Sequence, residues 1–326
     1  MKFSRLLFAA GLLAVWAAPA VNADPMERFF IDYQPGSGAE VRDAVYSEGG
    51  FVHHQFDRID AMAVSMTGRA ADRLAGTPNV VSLEPDAKRY LAAEPAPMAD
   101  PFETQVQPYG VDRVQAPLVW GEGYEGEGVT VCIIDTGLYQ AHEDIDEAYV
   151  LEGISQDEAS EWYQDGYGHG THVAGTVSAM DNDIGVVGVS PGKANLLAVK
   201  IFGEDGLWTY ASDLVAATFA CADNGADIIN MSLSGSAGPG AERKAFDALY
   251  NEYGILSVAA ASNDGTRQRV FPASYGSVIS VAATDIENVV ADFSNQNRWV
   301  ELAAPGVGVL STVSYVNDSW LFAGDE

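Results

Sequence analysis

Short apolar runs that alternate with helical segments constrain the fold of this chain more than any other feature of its sequence. The runs are rich in Val and Ile without polar alternation, which is typical of strands buried on both faces of a parallel sheet. Strands are predicted at 129–134, 196–202, 228–232, 255–260 and 278–282, and helices at 169–179, 212–224 and 241–252. The pattern therefore predicts an α/β fold with a parallel sheet flanked by helices.

Polar residues stand at the ends of these predicted strands. Asp135 follows the first strand, Ser232-Leu233-Ser234 lies at the end of the third, and Asn263 follows the fourth. An open α/β sheet places its ligand groups at the carboxyl ends of its strands. These residues are therefore candidates for a functional site.

A smaller unit precedes this region. Residues 27–90 carry strand and helix patterns in the order βαββαβ, which predicts a compact, ferredoxin-like α+β domain. A unit of this size is marginally stable alone, so we expect it to pack against a partner surface. Residues 91–107 are rich in Pro and Ala without periodicity, and we interpret them as a linker and a zone of cleavage.

Net charge and the first residues restrict partners and location. The chain has 46 acidic and 17 basic residues, a formal net charge of −29, which argues against nucleic-acid binding.

Lys2 and Arg5 precede an apolar run too short for a bilayer, and Val21-Asn22-Ala23 provides the small residues that a signal peptidase requires. Residues 1–23 are therefore predicted to be a secretory signal rather than a membrane anchor, and the protein is expected outside the cell.

The chain has two cysteines, Cys132 in a predicted strand and Cys221 on a predicted helix. This number is too small for a disulfide framework. One disulfide between them and two buried free thiols both fit these positions.

An acid, an imidazole and an amide stand at three points of the sequence. Asp135 begins an Asp-Thr-Gly segment, His169 lies within the Gly-rich segment 168–175, and Asn263 lies within 261–265. A carboxylate that accepts the Nδ1–H of an imidazole orients it as a general base, and an amide can stabilise an oxyanion. Asp-Thr-Gly also suits an aspartic protease, but that chemistry needs a second carboxylate motif, and the sequence has none.

Residues 105–312 resemble the subtilisin-like serine protease family along nearly their whole length. The matching stretches are 105–111, 131–137, 168–175, 230–233, 259–265 and 304–306. The resemblance implies a subtilisin-like sheet and a secreted serine endopeptidase precursor that acts as a monomer on protein or peptide substrates. It further implies that 105–326 form the peptidase domain and 24–104 a propeptide, which serves as folding chaperone and intramolecular inhibitor.

The resemblance also assigns catalytic roles to single residues. Asp135 would orient the imidazole of His169, and His169 would take the proton of a serine nucleophile. Asn263 would donate its amide to the developing oxyanion, although Ser262 stands before it where many relatives have glycine. His172 is interpreted as a structural residue.

Substrate binding in this family uses extended backbone pairing. By resemblance, Ser232, Leu233 and Ser234 form one strand edge for the substrate, and Ser234 narrows the first pocket. Tyr210 would lie at the far end of the same cleft. A cis peptide bond is expected between Phe271 and Pro272 by the same analogy.

A structural Ca²⁺ site is expected beside the helix of His169. Met180, Asn182, Ile184 and Val186 alternate along the loop after it, so their oxygens face one way. Hard cations of this kind take six to eight oxygen ligands, many of them backbone carbonyls. By resemblance, Gln105 and Asp144 complete the set.

No segment of the sequence matches the one that carries the catalytic serine in this family. Its Gly-Thr-Ser setting occurs nowhere in the 326 residues, and Ser319 stands between Asp318 and Trp320, a setting typical of an ordinary serine. Two interpretations stay open from the sequence. The chain is a fragment of a serine endopeptidase, truncated at the C-terminus, or it is a pseudoprotease that binds peptides without cutting them.

Overall fold

The computed structural model of the protein describes residues 24–92, 98–99, 104–156, 160–314 and 322–323. The predicted signal peptide, most of the predicted linker and Ser319 lie outside the described residues. The helices are α1 (Gly38–Ser47), α2 (Gly68–Ala75), α3 (Tyr109–Arg113), α4 (Ala116–Trp120), α5 (His169–Ser178), α6 (Ala211–Asp223) and α7 (Gly240–Ala248).

The strands are β1 (Met26–Tyr33), β2 (Phe51–Phe56), β3 (Ala61–Thr67), β4 (Val80–Pro85), β5 (Lys88–Leu91), β6 (Met98–Ala99), β7 (Thr130–Asp135), β8 (Ile154–Ser155), β9 (Asn195–Lys200), β10 (Thr209–Tyr210), β11 (Ile228–Met231), β12 (Leu233–Ser234), β13 (Leu256–Ala260), β14 (Val278–Thr284), β15 (Leu302–Pro305), β16 (Ser311–Thr312) and β17 (Phe322–Ala323). We call residues 24–92 the N-terminal unit and residues 105–314 the α/β part.

A seven-stranded sheet forms the centre of the α/β part, in the order β15-β14-β13-β11-β7-β9-β8. Every neighbouring pair in it is parallel. Strand β7 is buried at each residue and lies inside the sheet, as its continuous apolar sequence predicts. The predicted α/β class, strands and helices are confirmed to within a few residues. The edge strands β8 and β15 carry no long apolar run, so the sequence pattern does not indicate them.

The N-terminal unit is an antiparallel sheet in the order β2-β3-β1-β4 with two helices, which confirms the predicted βαββαβ order. Alternate residues of β1 point to opposite faces. Phe29 and Ile31 pack with α1 and α2, whereas Phe30 joins the core of the α/β part together with Phe56. The Phe56 ring lies 6.2 Å from that of Phe219 on α6, so the expected partner surface is the α/β part itself.

Cys132 on β7 and Cys221 on α6 form a disulfide, with their Cα atoms 5.9 Å apart. The alternative of two free thiols, which the sequence left open, is therefore wrong. The peptide bond between Phe271 and Pro272 is cis, as expected. Within the described residues, no helix has the length and apolar character that a bilayer span requires.

Candidate active site

The carboxylate and the imidazole singled out by the sequence lie side by side. Asp135 is the last residue of β7, and His169 is the first residue of α5. Nδ1 of His169 lies 2.7 Å from Oδ1 of Asp135, and the two side chains are only 9% and 1% exposed. A carboxylate in this position holds the proton on Nδ1, which leaves Nε2 to accept one.

Glycines allow α5 to approach β7 this closely. Gly168, before the first residue of α5, has φ +92°, a left-handed conformation that favours glycine. A Cβ on Gly170 would lie 2.1 Å from the carbonyl oxygen of Gly137. The glycines on both sides of His169 thus set the separation between helix and strand.

Asp165 fastens the turn after β7 to the start of α5. One carboxylate oxygen accepts hydrogen bonds from the Thr136 hydroxyl and the Gly168 N–H, both at 2.8 Å. The other accepts from the N–H and the hydroxyl of Thr171, at 2.9 and 2.6 Å. Burial raises the pKa of Asp165, although these hydrogen bonds act in the opposite direction.

Lys200 supports the same turn from β9. Its buried Nζ donates to the carbonyl oxygens of Thr136 and Gln164, at 2.5 and 3.1 Å, and pairs with Glu204 at 2.8 Å. Three acceptors satisfy the three N–H groups of the ammonium, which makes its burial tolerable. No sequence pattern indicates Asp165 and Lys200, because each is joined to Thr136, which lies 29 and 64 positions away in the chain.

The end of the N-terminal unit lies in a cleft of the α/β part. Strand β5 pairs antiparallel with β10 on one side and with β12 on the other. Lys88 is opposite Tyr210, Tyr90 is opposite Ser234, and Leu91 is opposite Leu233. Residues predicted to bind substrate are thus in contact with a segment of the same chain.

The carbonyl of Ala92 lies at the predicted oxyanion donor. The Ala92 N–H donates to the Ser232 carbonyl at 2.9 Å, and the side-chain amide of Asn263 donates to the Ala92 carbonyl oxygen. The structure therefore places Asn263, Ser232 and β12 around one peptide carbonyl. β7, which ends at Asp135, and β13, which precedes Asn263, both pair with β11, so their carboxyl ends share one edge of the sheet.

A cavity of about 460 Å³ lies beside Ala92, with Ser234 and Ser262 on its walls. Their hydroxyls are 3.1 Å apart, and the Ser262 hydroxyl also donates to Asp264 at 2.8 Å. Ser262 has φ +80°, which is unusual for a residue with a side chain. The two serines thus link the walls of the cavity, and the narrowing of the first pocket by Ser234 stays a prediction.

The residues predicted to bind Ca²⁺ form one cluster around Asp144. Its buried carboxylate accepts from the Asn182 amide at 3.0 Å and from the Val186 N–H at 2.8 Å. The Gln105 amide donates to the Met180 carbonyl at 2.7 Å. The Ile184 N–H donates to the Asn182 side chain.

The donor set of this cluster fits a hard cation, because it consists of a carboxylate, amides and backbone carbonyls, and an amide presents an oxygen as readily as a nitrogen. Burial raises the pKa of Asp144 to about 7, although the hydrogen bonds from Val186 and Asn182 lower it. Among the described residues, no group of three or more His, Cys, Asp or Glu could hold a metal ion. A cation here would depend on amide and carbonyl oxygens.

Nε2 of His172 lies 3.0 Å from the carbonyl oxygen of Val309. This contact ties α5 to the segment before β16. The structural role of His172 stays a prediction.

Comparisons with known proteins identify relatives of this chain. The model of the Subtilase family, peptidase family S8, matches residues 126–321. Subtilisin amylosacchariticus from Bacillus subtilis subsp. amylosacchariticus is 36% identical over 283 residues, which are 85% of this chain and 70% of that protein.

Solved structures give the same result. Fervidolysin from Fervidobacterium pennivorans, a keratinolytic enzyme related to subtilisin, is 25% identical with a TM-score of 0.76 over 92% of this chain. The psychrophilic subtilisin-like protease Apa1 from the Antarctic psychrotroph Pseudoalteromonas sp. AS-11 is 40% identical with a TM-score of 0.57 over 64% of this chain. The matches cover 52% and 48% of those two solved chains, about half of each. The fold is subtilisin-like, and the chain belongs to the subtilase family of serine peptidases.

Proposed function

We propose that this chain is the precursor of a secreted serine endopeptidase whose N-terminal unit is both its inhibitor and its first substrate. The observation that carries the proposal is the Ala92 carbonyl, which accepts a hydrogen bond from Asn263 while β5 pairs with both walls of the cleft. A peptide substrate paired in this way presents one carbonyl for attack. The bond that follows Ala92 is then the first bond to be cut.

The proposed mechanism uses three groups of this chain. His169 takes the proton of a serine hydroxyl as that oxygen attacks the peptide carbonyl, and Asp135 stabilises the resulting imidazolium. Asn263 donates its amide to the oxyanion. His169 then gives the proton to the leaving amine as the C–N bond breaks, and water hydrolyses the acyl-enzyme by the same steps. The nucleophile is proposed to lie beyond Glu326, in the Gly-Thr-Ser setting of the family.

Contacts between the two parts support an inhibitory role for the N-terminal unit. Arg28 pairs with Asp213 at 2.7 Å, and His54 lies 2.8 Å from the same carboxylate. Lys244 on α7 pairs with Asp32 at 3.1 Å. These contacts, together with the shared apolar core, hold β5 in the cleft, where it would exclude other peptides.

The test uses the chain extended at its C-terminus through the proposed Gly-Thr-Ser segment, which we call the extended protein. We expect the purified protein to release a fragment that ends at Ala92, identified by mass spectrometry, and then to hydrolyse casein. The His169→Ala variant should keep the bond intact and lose about 10⁶-fold in kcat, the size of loss found in subtilisin. A folded, extended protein that releases no fragment and cleaves no peptide would contradict the proposal.

The second candidate is a peptide-binding chain without turnover. The pairing of β5 with β10 and β12 supports it, because the cleft holds a strand through backbone hydrogen bonds that need no nucleophile. This candidate predicts that the full-length protein made by the cell binds peptides in the cleft and releases them without cleavage. Mass spectrometry separates the two candidates: the mass of the full-length protein made by the cell shows whether it includes the Gly-Thr-Ser segment, and the mass of the incubated peptide shows whether it was cut.

We also propose that the cluster around Asp144 binds a structural Ca²⁺. The cation would be held by Gln105, Asp144, Met180, Asn182, Ile184 and Val186 and would offset the buried charge of Asp144. Excess EDTA should then lower the melting temperature, by about 3 °C for about 2 kcal/mol of lost binding energy. Asp144→Asn should lower it in Ca²⁺ buffer and remove the effect of EDTA. A melting temperature that EDTA leaves unchanged would reject the site.

A further inference from the structure

A buried ion pair joins the segment in the cleft to the α/β part. Arg89 of β5 and Glu242 of α7 both have side chains with 0% exposure. Nε of Arg89 donates to one carboxylate oxygen of Glu242 at 2.9 Å, and Nη2 donates to the other at 2.5 Å. Nη1 donates to the carbonyl of Lys88 at 2.8 Å. The guanidinium is thus bound in the two-point geometry that matches it to a carboxylate.

Glu242, the acidic residue of this pair, is surrounded by residues of the α/β part. The Tyr275 hydroxyl donates to Glu242 at 2.6 Å, and its ring packs against those of Phe246 and Phe271. A Cβ on Gly235 would lie 2.5 Å from Nη1 of Arg89, so the absence of a side chain there leaves room for the guanidinium. Glu242 lies in the first turn of α7, where the helix dipole favours a negative charge.

The backbone register fixes which residue of a bound peptide enters this pocket. Ala92 presents its carbonyl to Asn263, and Arg89 is the fourth residue counted back from that carbonyl, with Ala92 as the first. Arg89 is opposite Thr209 of β10, and Tyr90 is opposite Ser234 of β12. A substrate that adds a strand between β10 and β12 in this register places its own fourth residue against Glu242.

Departure of the N-terminal unit would leave Glu242 without its cationic partner. A buried carboxylate that has lost one partner is strongly destabilised, and a ligand that restores the pair recovers this free energy. Arginine reaches both oxygens through its planar fork, whereas lysine offers a single point charge. An apolar side chain would leave the carboxylate desolvated and unpaired, which is the basis on which polar sites reject apolar substrates.

We propose that Glu242, with Tyr275 and Gly235, forms a guanidinium-binding subsite that selects substrates with arginine as the fourth residue before the cleaved bond. The inference rests on the proposed peptidase function and adds a substrate class to it. Arg89 in the N-terminal unit is then the first arginine that the subsite binds.

The test compares peptides of the form Lys-Xaa-Tyr-Leu-Ala joined to a chromogenic amine, with Arg, Lys, citrulline or Leu at Xaa. The enzyme is the extended protein, with the Gly-Thr-Ser segment, after release of its N-terminal unit. We expect kcat/KM for Arg to exceed that for citrulline and Leu by at least ~100-fold, and that for Lys by at least ~10-fold. Equal values for the four peptides would overturn the inference.

Variants of the pocket extend the test. Glu242→Leu should invert the preference, with the Leu peptide cleaved faster than the Arg peptide. Asp247→Asn, which removes an exposed carboxylate from the same helix, is the matched control and should keep the preference for Arg. If Glu242→Leu fails to fold because Arg89 is left unpaired, the double variant Arg89→Leu with Glu242→Leu restores apolar contact and should show the same inversion. A preference for Arg that survives in either folded Leu variant would overturn the inference.

Binding separates this inference from the proposed function. The uncleaved product peptide Lys-Arg-Tyr-Leu-Ala should compete for the cleft with an affinity at least ~100-fold above that of Lys-Leu-Tyr-Leu-Ala. This result without any cleavage would reject the peptidase function and keep the subsite. Cleavage of peptides without this difference would reject the subsite and keep the peptidase function.

Discussion

At the scale of single residues, the distance between Asp135 and His169 depends on a residue without a side chain. Gly170 follows His169 in the first turn of α5 and faces the carbonyl oxygen of Gly137. Because backbone atoms meet there, no rotamer change could make room for a Cβ. The geometry of the pair is thus set by the backbone of its neighbours.

Gly170→Ala should therefore separate helix and strand. We expect a loss of about 1–3 kcal/mol in the free energy of unfolding, measured in urea, because the added methyl overpacks a buried contact. The Nδ1–H proton resonance of His169 should move upfield as its hydrogen bond to Asp135 lengthens. Gly276→Ala is the control, since a Cβ there would meet nothing within 4 Å. An unshifted resonance in the Gly170 variant would show that the close approach does not hold the pair together.

Asn263 offers a second prediction at this scale. In the extended, processed enzyme, Asn263→Ala should lower kcat by about 10²–10³-fold, the loss found when this kind of donor is removed from subtilisin. KM should change little, because the amide bonds more strongly to the oxyanion than to the ground-state carbonyl. Steady-state kinetics on one peptide gives both constants. A raised KM with an unchanged kcat would mean that the amide only binds substrate.

At the scale of secondary-structure elements, two helices receive caps from the N-terminal unit. Asp86 accepts from the N–H and the hydroxyl of Ser212 at the start of α6, at 3.1 and 2.5 Å. Glu84 accepts from the N–H of Gly240 at the start of α7, at 3.0 Å. The first N–H groups of a helix lack partners within it, so these carboxylates satisfy groups that α6 and α7 cannot satisfy themselves.

The Asp86 cap predicts a dependence on pH. Burial raises the pKa of Asp86 to about 6, above its ordinary 3.8, although Ser212 and Arg28 lower it. The folded chain therefore binds this proton more tightly than the unfolded chain does. The resulting stabilisation is complete below about pH 4 and is lost as the pH rises through 6.

The measurement is the free energy of unfolding of the wild type minus that of Asp86→Asn, by urea titration between pH 4 and pH 6. We expect the difference to fall with rising pH, by at most about 1.4 kcal/mol per pH unit, since one proton is involved. Subtracting the variant removes the titration of the other carboxyls. A difference that rises over this interval would show that the pair with Arg28 outweighs burial.

The elements also differ in how well a sequence pattern indicates them. β7, β11 and β13 are inside the sheet, and their Val- and Ile-rich runs predict them. β5 is a strand only because β10 and β12 supply its hydrogen-bond partners, so no pattern within residues 88–91 indicates it. For the same reason, the sequence predicts that the linker begins at Leu91, one residue before Ala92, and gives no indication that Ala92 contacts Asn263.

At the scale of the whole molecule, one covalent link joins the central sheet to a helix. The disulfide between Cys132 and Cys221 closes a loop across 89 positions of sequence. In a chain-entropy description, restricting an unfolded loop of this length stabilises the folded state by about 4–5 kcal/mol. Both residues are buried in the main apolar core, so the link adds to its packing.

Reduction should therefore lower the stability of the whole chain. We expect the urea midpoint in the presence of dithiothreitol to fall, in proportion to about 4 kcal/mol of lost stabilisation. The double variant Cys132→Ala with Cys221→Ala is the control, since dithiothreitol should leave its midpoint unchanged. A wild-type midpoint that does not move under full reduction, verified by thiol counting, would contradict the expectation.

The sequence by itself determined the α/β class, the order of the N-terminal unit and the positions of Asp135, His169 and Asn263. Each of these follows from patterns within one segment: apolar periodicity, glycines beside a histidine, and polar residues at strand ends. The tertiary structure alone decided the pairing of Cys132 with Cys221, the roles of Asp165 and Lys200, and the burial of Arg89 against Glu242. The disulfide, the contacts of Asp165 and Lys200 with Thr136, and the pair of Arg89 with Glu242 join residues from 29 to 153 positions apart. Their pairing depends on how the sheets and helices pack rather than on any local preference.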